Sequence, residues 1–207
     1  FMAFVEYIGV PIGKPHWQLA ISQQDIEAVS VYIDSLRKNL IISPCSSKVE
    51  KDWTVEGYAT VANIANQHNI HVIFCGSAAK REVEMINQII KQCDFKPTNL
   101  SGKTSLKQLT ALIGLADLVI SPDSGPAHMA TTQNTPVIGL YAYHNPLRTG
   151  PYNNLENVVS VYEQNVQKEF GKPSSELPWA TKLKGRNLMA EIRVEDVLTQ
   201  IKKLGLL

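Results

Sequence analysis

The sequence predicts a doubly wound α/β fold, a parallel sheet with helices on both faces. Two observations carry this. Short apolar runs without polar alternation recur at 40–43, 70–76, 118–121, 137–141 and 158–161, as expected of strands buried on both sides. Segments with apolar residues at helical spacing alternate with them, the pattern of strand–helix–strand units. A shorter run at 98–100 is a further strand candidate. With 207 residues the chain is long enough for one domain with a sizeable core.

The helices follow in order. Ile26, Val29, Ile33 and Leu36 share a face, with Ser22 as N-cap. Val55, Tyr58, Ala59, Ala62 and Ala65 share another, started by Thr54. Val83, Ile86, Ile90 and Cys93 form a third stripe. Leu106, Leu109, Ile113 and Ala116 form a fourth, where Ser105 and Gln108 have the spacing of a capping box. Val194, Val197, Leu198, Ile201 and Leu204 form a last helix. Residues 1–21, with Gly9, Pro11, Gly13 and Pro15, read as a linker, and 1–8 as the tail of a helix from a preceding domain. The chain begins with Phe and reads as a piece of a longer protein. Residues 163–190, polar and interrupted by Pro173, Pro178 and Gly185, read as a long loop.

Composition excludes several function classes. Twenty basic and 19 acidic side chains leave a formal charge of +1, no overall drive toward nucleic acid or an anionic membrane. Three cysteines without compact spacing argue against a disulfide framework and for reduced thiols in a cytoplasmic protein. No apolar run approaches bilayer length, and no secretory signal core is present at the start of the chain. The five histidines (16, 68, 71, 128, 144) and the cysteines show no metal-ligand spacing. Gly102-Lys103-Thr104 resembles the end of a phosphate-binding P-loop, but Pro97 stands where that motif needs glycine.

Right-handed crossovers place every strand-to-helix loop on one sheet edge, where ligands of such folds bind. Ser121-Pro122-Asp123-Ser124-Gly125-Pro126-Ala127-His128 joins a strand to a helix running to about 133. Ser124 caps that helix and Pro126 suits its first turn. Amides near Gly125 and the positive helix end form an anion site, Gly125 permits close approach of a phosphate, and His128 shares a face with Ser124. Asp123 is placed to bind sugar hydroxyls. The competing reading has Asp123 and Ser124 as helix caps and His128 as a satisfied buried histidine. Ser43-Pro44-Cys45-Ser46-Ser47-Lys48 and Lys51-Asp52-Trp53 follow another strand. Lys51 suits a departing diphosphate, and Ser46 or Ser47 its oxygens, against the alternative of a solvated polar loop. Gly76-Ser77-Ala78-Ala79-Lys80-Arg81-Glu82 is a third strand-to-helix turn. There Glu82 either accepts bonds from a ribose or base or merely complements the helix dipole.

The segments 99–106, 116–130, 135–141 and 149–152, with Lys51-x-Trp53 and Gly76-Ser77, resemble the C-terminal domain of the lipopolysaccharide heptosyltransferases, glycosyltransferase family 9. The resemblance covers residues 40–155 well. It implies a Rossmann-like domain, the C-terminal half of a two-domain GT-B enzyme, with 22–207 binding an ADP-sugar, ADP-heptose in particular. Transfer in the family inverts the anomeric centre without a metal or cofactor. The resemblance implies diphosphate contacts from Lys51, Ser124 and Gly125, sugar or phosphate contacts from Asp123 and His128, and nucleotide contacts near Glu82. It places the catalytic base in the N-terminal domain, so that no residue of this chain is expected to be the base. The acceptor would be the lipopolysaccharide core, at the cytoplasmic face of the inner membrane, reached through the N-terminal half. One departure stands out: Ala142-Tyr143-His144-Asn145-Pro146 occupies the place of the family's Gly-Pro-Thr-x-Pro. Two rival functions share the fold: a non-catalytic nucleotide-binding module, and another nucleotide-sugar enzyme such as a UDP-sugar epimerase.

Overall fold

The structure is a computed structural model that describes residues 2–13 and 17–207. Phe1, Pro15 and His16, named above in the tail, the linker and the histidine set, lie outside the described residues. The order of elements is α1 (Met2–Tyr7), α2 (Gln23–Ser30), β1 (Asn39–Ile42), α3 (Val55–Gln67), β2 (His71–Phe74), α4 (Lys80–Lys91), β3 (Thr98–Asn99) and α5 (Leu106–Leu115). It continues with β4 (Leu118–Pro122), α6 (Gly125–Thr132), β5 (Val137–Tyr141), α7 (Pro146–Thr149), β6 (Val159–Ser160), α8 (Tyr162–Phe170) and α9 (Val194–Lys203).

The six strands form one parallel sheet in the order β3-β2-β1-β4-β5-β6. This is the doubly wound arrangement, and chain direction across the sheet reverses between β1 and β4. Alternate strand residues face opposite sides. Leu40, Ile42, Val72, Phe74, Leu118 and Ile120 pack in one apolar cluster with residues of α3, α4 and α9. Ile41, Ile73, Val119 and Val137 pack in the other with residues of α2, α5 and α6. Both clusters exclude water, so the runs 40–42, 72–74 and 118–120 are apolar on both faces and show no alternation.

Caps set the helix starts. Ser22 accepts from the Asp25 amide and Thr54 from the Gly57 amide. Ser105 and Gln108 form the expected capping box. Three expectations need correction. The first helix stops at Ser30, and Leu36 is 93% exposed rather than on its buried face. The Asn39 side chain holds the following turn instead, donating to the Asp34 and Arg37 carbonyls and accepting from the Asp34 amide. Residues 163–190 are not all loop, because α8 occupies their start and buries Tyr162, Asn165 and Val166. Its buried stripe includes an asparagine, whose amide bonds the Val161 carbonyl, so the stripe reads as polar in sequence. Ser124 does not cap α6 through its side chain; its hydroxyl bonds that of Ser121 at 2.8 Å.

Candidate functional site

The site lies where β1 and β4 diverge, at their carboxyl ends. The loops after β1, β2, β3 and β4 enclose a cleft of about 480 Å³, within the range of small-molecule sites. Ser46, Ser47, Gly76, Glu82, Ser124 and Gly125 line it. Six residues singled out on three separate loops therefore converge.

Each wall has a distinct local cause. At β4, Ser124 precedes α6 in an extended conformation. Pro126 has no amide hydrogen and the Ala127 amide bonds the Ser124 carbonyl at 3.2 Å. The Ser124 and Gly125 amides have no acceptor among the described residues, and they stand at the positive end of the helix. A Cβ placed on Gly125 would meet nothing within 4 Å, so the backbone here is open to a ligand. At β2, a Cβ on Gly76 would come within 2.8 Å of the Ile86 Cδ1 methyl, which would have to shift to admit it. Glu82 accepts from the Ser77 amide at 2.8 Å and so holds the turn.

At β1, the two serines differ. Ser46 is buried, and its hydroxyl donates to the Lys48 carbonyl while accepting from the Lys48 amide. Ser47 is exposed and its hydroxyl has no partner among the described residues. The β1 loop is clasped by two residues that sequence reasoning left without a role. Asp52, its side chain only 5% exposed, accepts from the Ser46 amide at 2.6 Å and from Arg81 at the start of α4. Arg81 also donates to the Ser46 carbonyl. Burial raises the Asp52 carboxyl above its ordinary value even beside this guanidinium. Cys45 also lines the cleft, but burial raises its thiol to about 12, so it is not poised as a nucleophile.

Lys51 and Asp123 lie beside the cleft rather than in its lining. The Lys51 ammonium is 2.6 Å from Asp123 Oδ2, and the side chains are 14% and 12% exposed. Lys51 is thus no solvated loop lysine. The same oxygen accepts from His144 Nδ1 at 2.7 Å. His144 comes from the loop after β5. Trp53 is anchored by its indole N–H on the Ile192 carbonyl and stacks edge-on against Tyr58. It sets the Lys51 turn against the core. His128 is neither buried nor bonded: it is exposed on α6, outside the cleft, with no hydrogen-bond partner among the described residues. Among the described residues no group of three or more His, Cys, Asp or Glu side chains is placed to hold a metal ion.

Comparison with known proteins then settles kinship. The family model for glycosyltransferase family 9 (heptosyltransferase) matches residues 1–180. The chain belongs to this family. It is 73% identical over 206 residues to the lipopolysaccharide core heptosyltransferase OpsX of Haemophilus influenzae, covering all of this chain and 59% of that protein. It is 30% identical over 168 residues to lipopolysaccharide heptosyltransferase 3 of Escherichia coli K12, covering 80% of this chain and 46% of that protein. Among solved structures, the family 9 glycosyltransferase of Veillonella parvula superposes with a TM-score of 0.77 at 22% identity, over 98% of this chain and 58% of that one. E. coli ADP-heptose heptosyltransferase II gives a TM-score of 0.70 at 22% identity, over 93% of this chain and 55% of that one. These superpositions show a shared fold. The chain spans about half to three-fifths of the length of these family 9 relatives.

Proposed function

We propose that this chain is the donor-binding half of an inverting, metal-independent heptosyltransferase of lipopolysaccharide core synthesis, with ADP-heptose as donor. The carrying observation is the open N-terminus of α6 at Ser124–Gly125, which faces a cleft at the sheet's switch point with the Lys51–Asp123 pair beside it. Membership of family 9 and 73% identity to a core heptosyltransferase support the same reading.

In this reading the adenosine end of the donor lies toward Glu82 and Gly76, and the diphosphate meets the Ser124 and Gly125 amides, the Ser47 hydroxyl and Lys51. Ser46, its hydroxyl already bonded to the Lys48 backbone, shapes the loop. Asp123 takes a sugar hydroxyl, and His128, exposed on α6 outside the cleft lining, takes a sugar or phosphate contact only where the donor extends beyond the cleft. An acceptor hydroxyl oxygen attacks the anomeric carbon from the face opposite the diphosphate. The anomeric C–O bond breaks, ADP departs with the electron pair, and the acceptor proton passes to a base. Amides fixed before the reaction stabilise the charge that develops on the diphosphate. The base faces the acceptor and belongs to an N-terminal domain, outside residues 22–207; residues 1–21 join the two. The acceptor, the lipopolysaccharide core, brings the whole enzyme to the cytoplasmic face of the inner membrane. No described helix of this chain is long and apolar enough to cross a membrane.

Two measurements test this. Calorimetric titration with ADP and with UDP, in the presence of a chelator, should show binding of ADP in preference to UDP. Absence of ADP binding at millimolar ligand, or dependence on added magnesium, overturns the reading. Transfer of heptose to a lipid acceptor, followed by mass spectrometry, should require a longer protein that includes the N-terminal domain. Turnover by this chain alone would place the base within it.

A further inference from the structure

We propose that His144 is a specificity-determining positioning residue: with Lys51 it pins one carboxylate oxygen of Asp123, so that the other is presented to a hydroxyl of the donor's sugar. The inference rests on the donor-binding reading above and adds a residue to it.

The two Asp123 oxygens are treated differently. Oδ2 accepts from Lys51 Nζ at 2.6 Å and from His144 Nδ1 at 2.7 Å. Oδ1 has no donor among the described residues, yet is not among the buried atoms left without a partner, so it reaches solvent. A carboxylate joined to a single flexible lysine swings about its Cβ–Cγ bond. Two donors on one oxygen, arriving from different loops, remove that freedom and leave Oδ1 held in place and free to accept. Since the carboxylate oxygen accepts, Nδ1 of His144 must carry a proton. The ring is 17% exposed.

His144 is itself held. Its backbone forms an antiparallel bridge with Lys182, and the Leu183 amide bonds the Tyr143 carbonyl at 3.1 Å. The Lys182 ammonium reaches Glu50 in the same turn as Lys51. The segment around 182–183 therefore ties the His144 loop to the Lys51 turn, and the two donors on Oδ2 share one support. An acceptor oxygen placed before the ligand arrives discriminates sugars by hydroxyl position, because a sugar lacking the matching hydroxyl leaves it unpaired. In the donor-binding reading the nucleotide occupies the cleft, whose lining does not include Asp123.

The test compares ADP with ADP-heptose in the full-length protein containing this chain. In the wild type the sugar should add affinity over ADP. His144→Ala should remove about tenfold of that gain while changing ADP affinity less than about twofold. His144→Asn, whose amide N–H reaches the Nδ1 position, should restore most of it. Thermal unfolding checks that both variants fold. An undiminished sugar gain in His144→Ala, or an Asn variant as poor as the Ala variant, overturns the proposal. A second readout needs no ligand: in ¹⁵N-histidine NMR, His144 should carry a proton on Nδ1, with a resonance that moves in Asp123→Asn. A bare Nδ1 overturns the proposal whatever the ligand data show. A protonated Nδ1 in a wild type that binds neither ADP nor ADP-heptose keeps the Asp123–His144 geometry but sinks the donor reading, and with it the specificity role.

Discussion

Lys51 and Asp123 meet at 2.6 Å, 72 positions apart in sequence, one following β1 and the other β4. Their loops are neighbours because β1 and β4 are adjacent parallel strands. The pair thus marks the switch point of the sheet with a largely shielded charge contact.

This contact changes what Lys51→Ala should do. The substitution leaves the shielded Asp123 carboxylate with His144 alone, so the protein should lose about 1–2 kcal/mol of stability. The double variant Lys51→Ala/Asp123→Asn should recover part of that loss, because neither charge is then left unpaired. Affinity for ADP should fall roughly tenfold or more while adenosine binding is unchanged. Denaturant unfolding and calorimetry of the wild type and the two variants check both halves. Equal losses for ADP and adenosine would remove Lys51 from the phosphate contacts.

Gly125→Ala separates ligand approach from folding. No atom lies within 4 Å of the added methyl and the backbone is not left-handed, so the fold has no objection to it. Stability should stay within about 1 kcal/mol of the wild type. ADP affinity should fall about tenfold, because the methyl occupies the space through which a phosphate reaches the amides. Undiminished ADP binding would place the diphosphate elsewhere.

Arg81→Ala should destabilise the protein by roughly 2–3 kcal/mol at pH 7, by leaving the Asp52 carboxylate buried without its guanidinium. The deficit should shrink with acid. Burial already raises the Asp52 carboxyl in the wild type, and losing Arg81 raises it further. A carboxyl whose folded value exceeds its unfolded one favours folding when protonated, and that contribution is lost as pH rises through the folded value. The stability gap between variant and wild type should therefore be smaller at pH 5 than at pH 7. A gap independent of pH would show that Arg81 acts through packing or through the Ser46 carbonyl alone.

The sequence by itself determined the layers of the fold and most of its strand and helix starts. Short apolar runs such as 118–120, bounded by turn signals, suit strands covered on both faces, and capping residues such as Thr54 and Ser105 act within one turn of chain. These are local signals. The loops that carry Ser46, Gly76 and Gly125 were legible too, because a parallel sheet sends all its strand-to-helix turns to one edge. Tertiary structure alone decided which polar side chains on those loops meet. The Lys51–Asp123–His144 cluster joins three loops, and the Arg81–Asp52 clasp joins two, across separations that no periodicity records. Whether a lysine is solvated or paired, and whether Ser46 or Ser47 keeps a free hydroxyl, depends on distances of an ångström between segments remote in sequence. Those distances are set by strand order and register, which the whole packed sheet imposes and no single segment encodes.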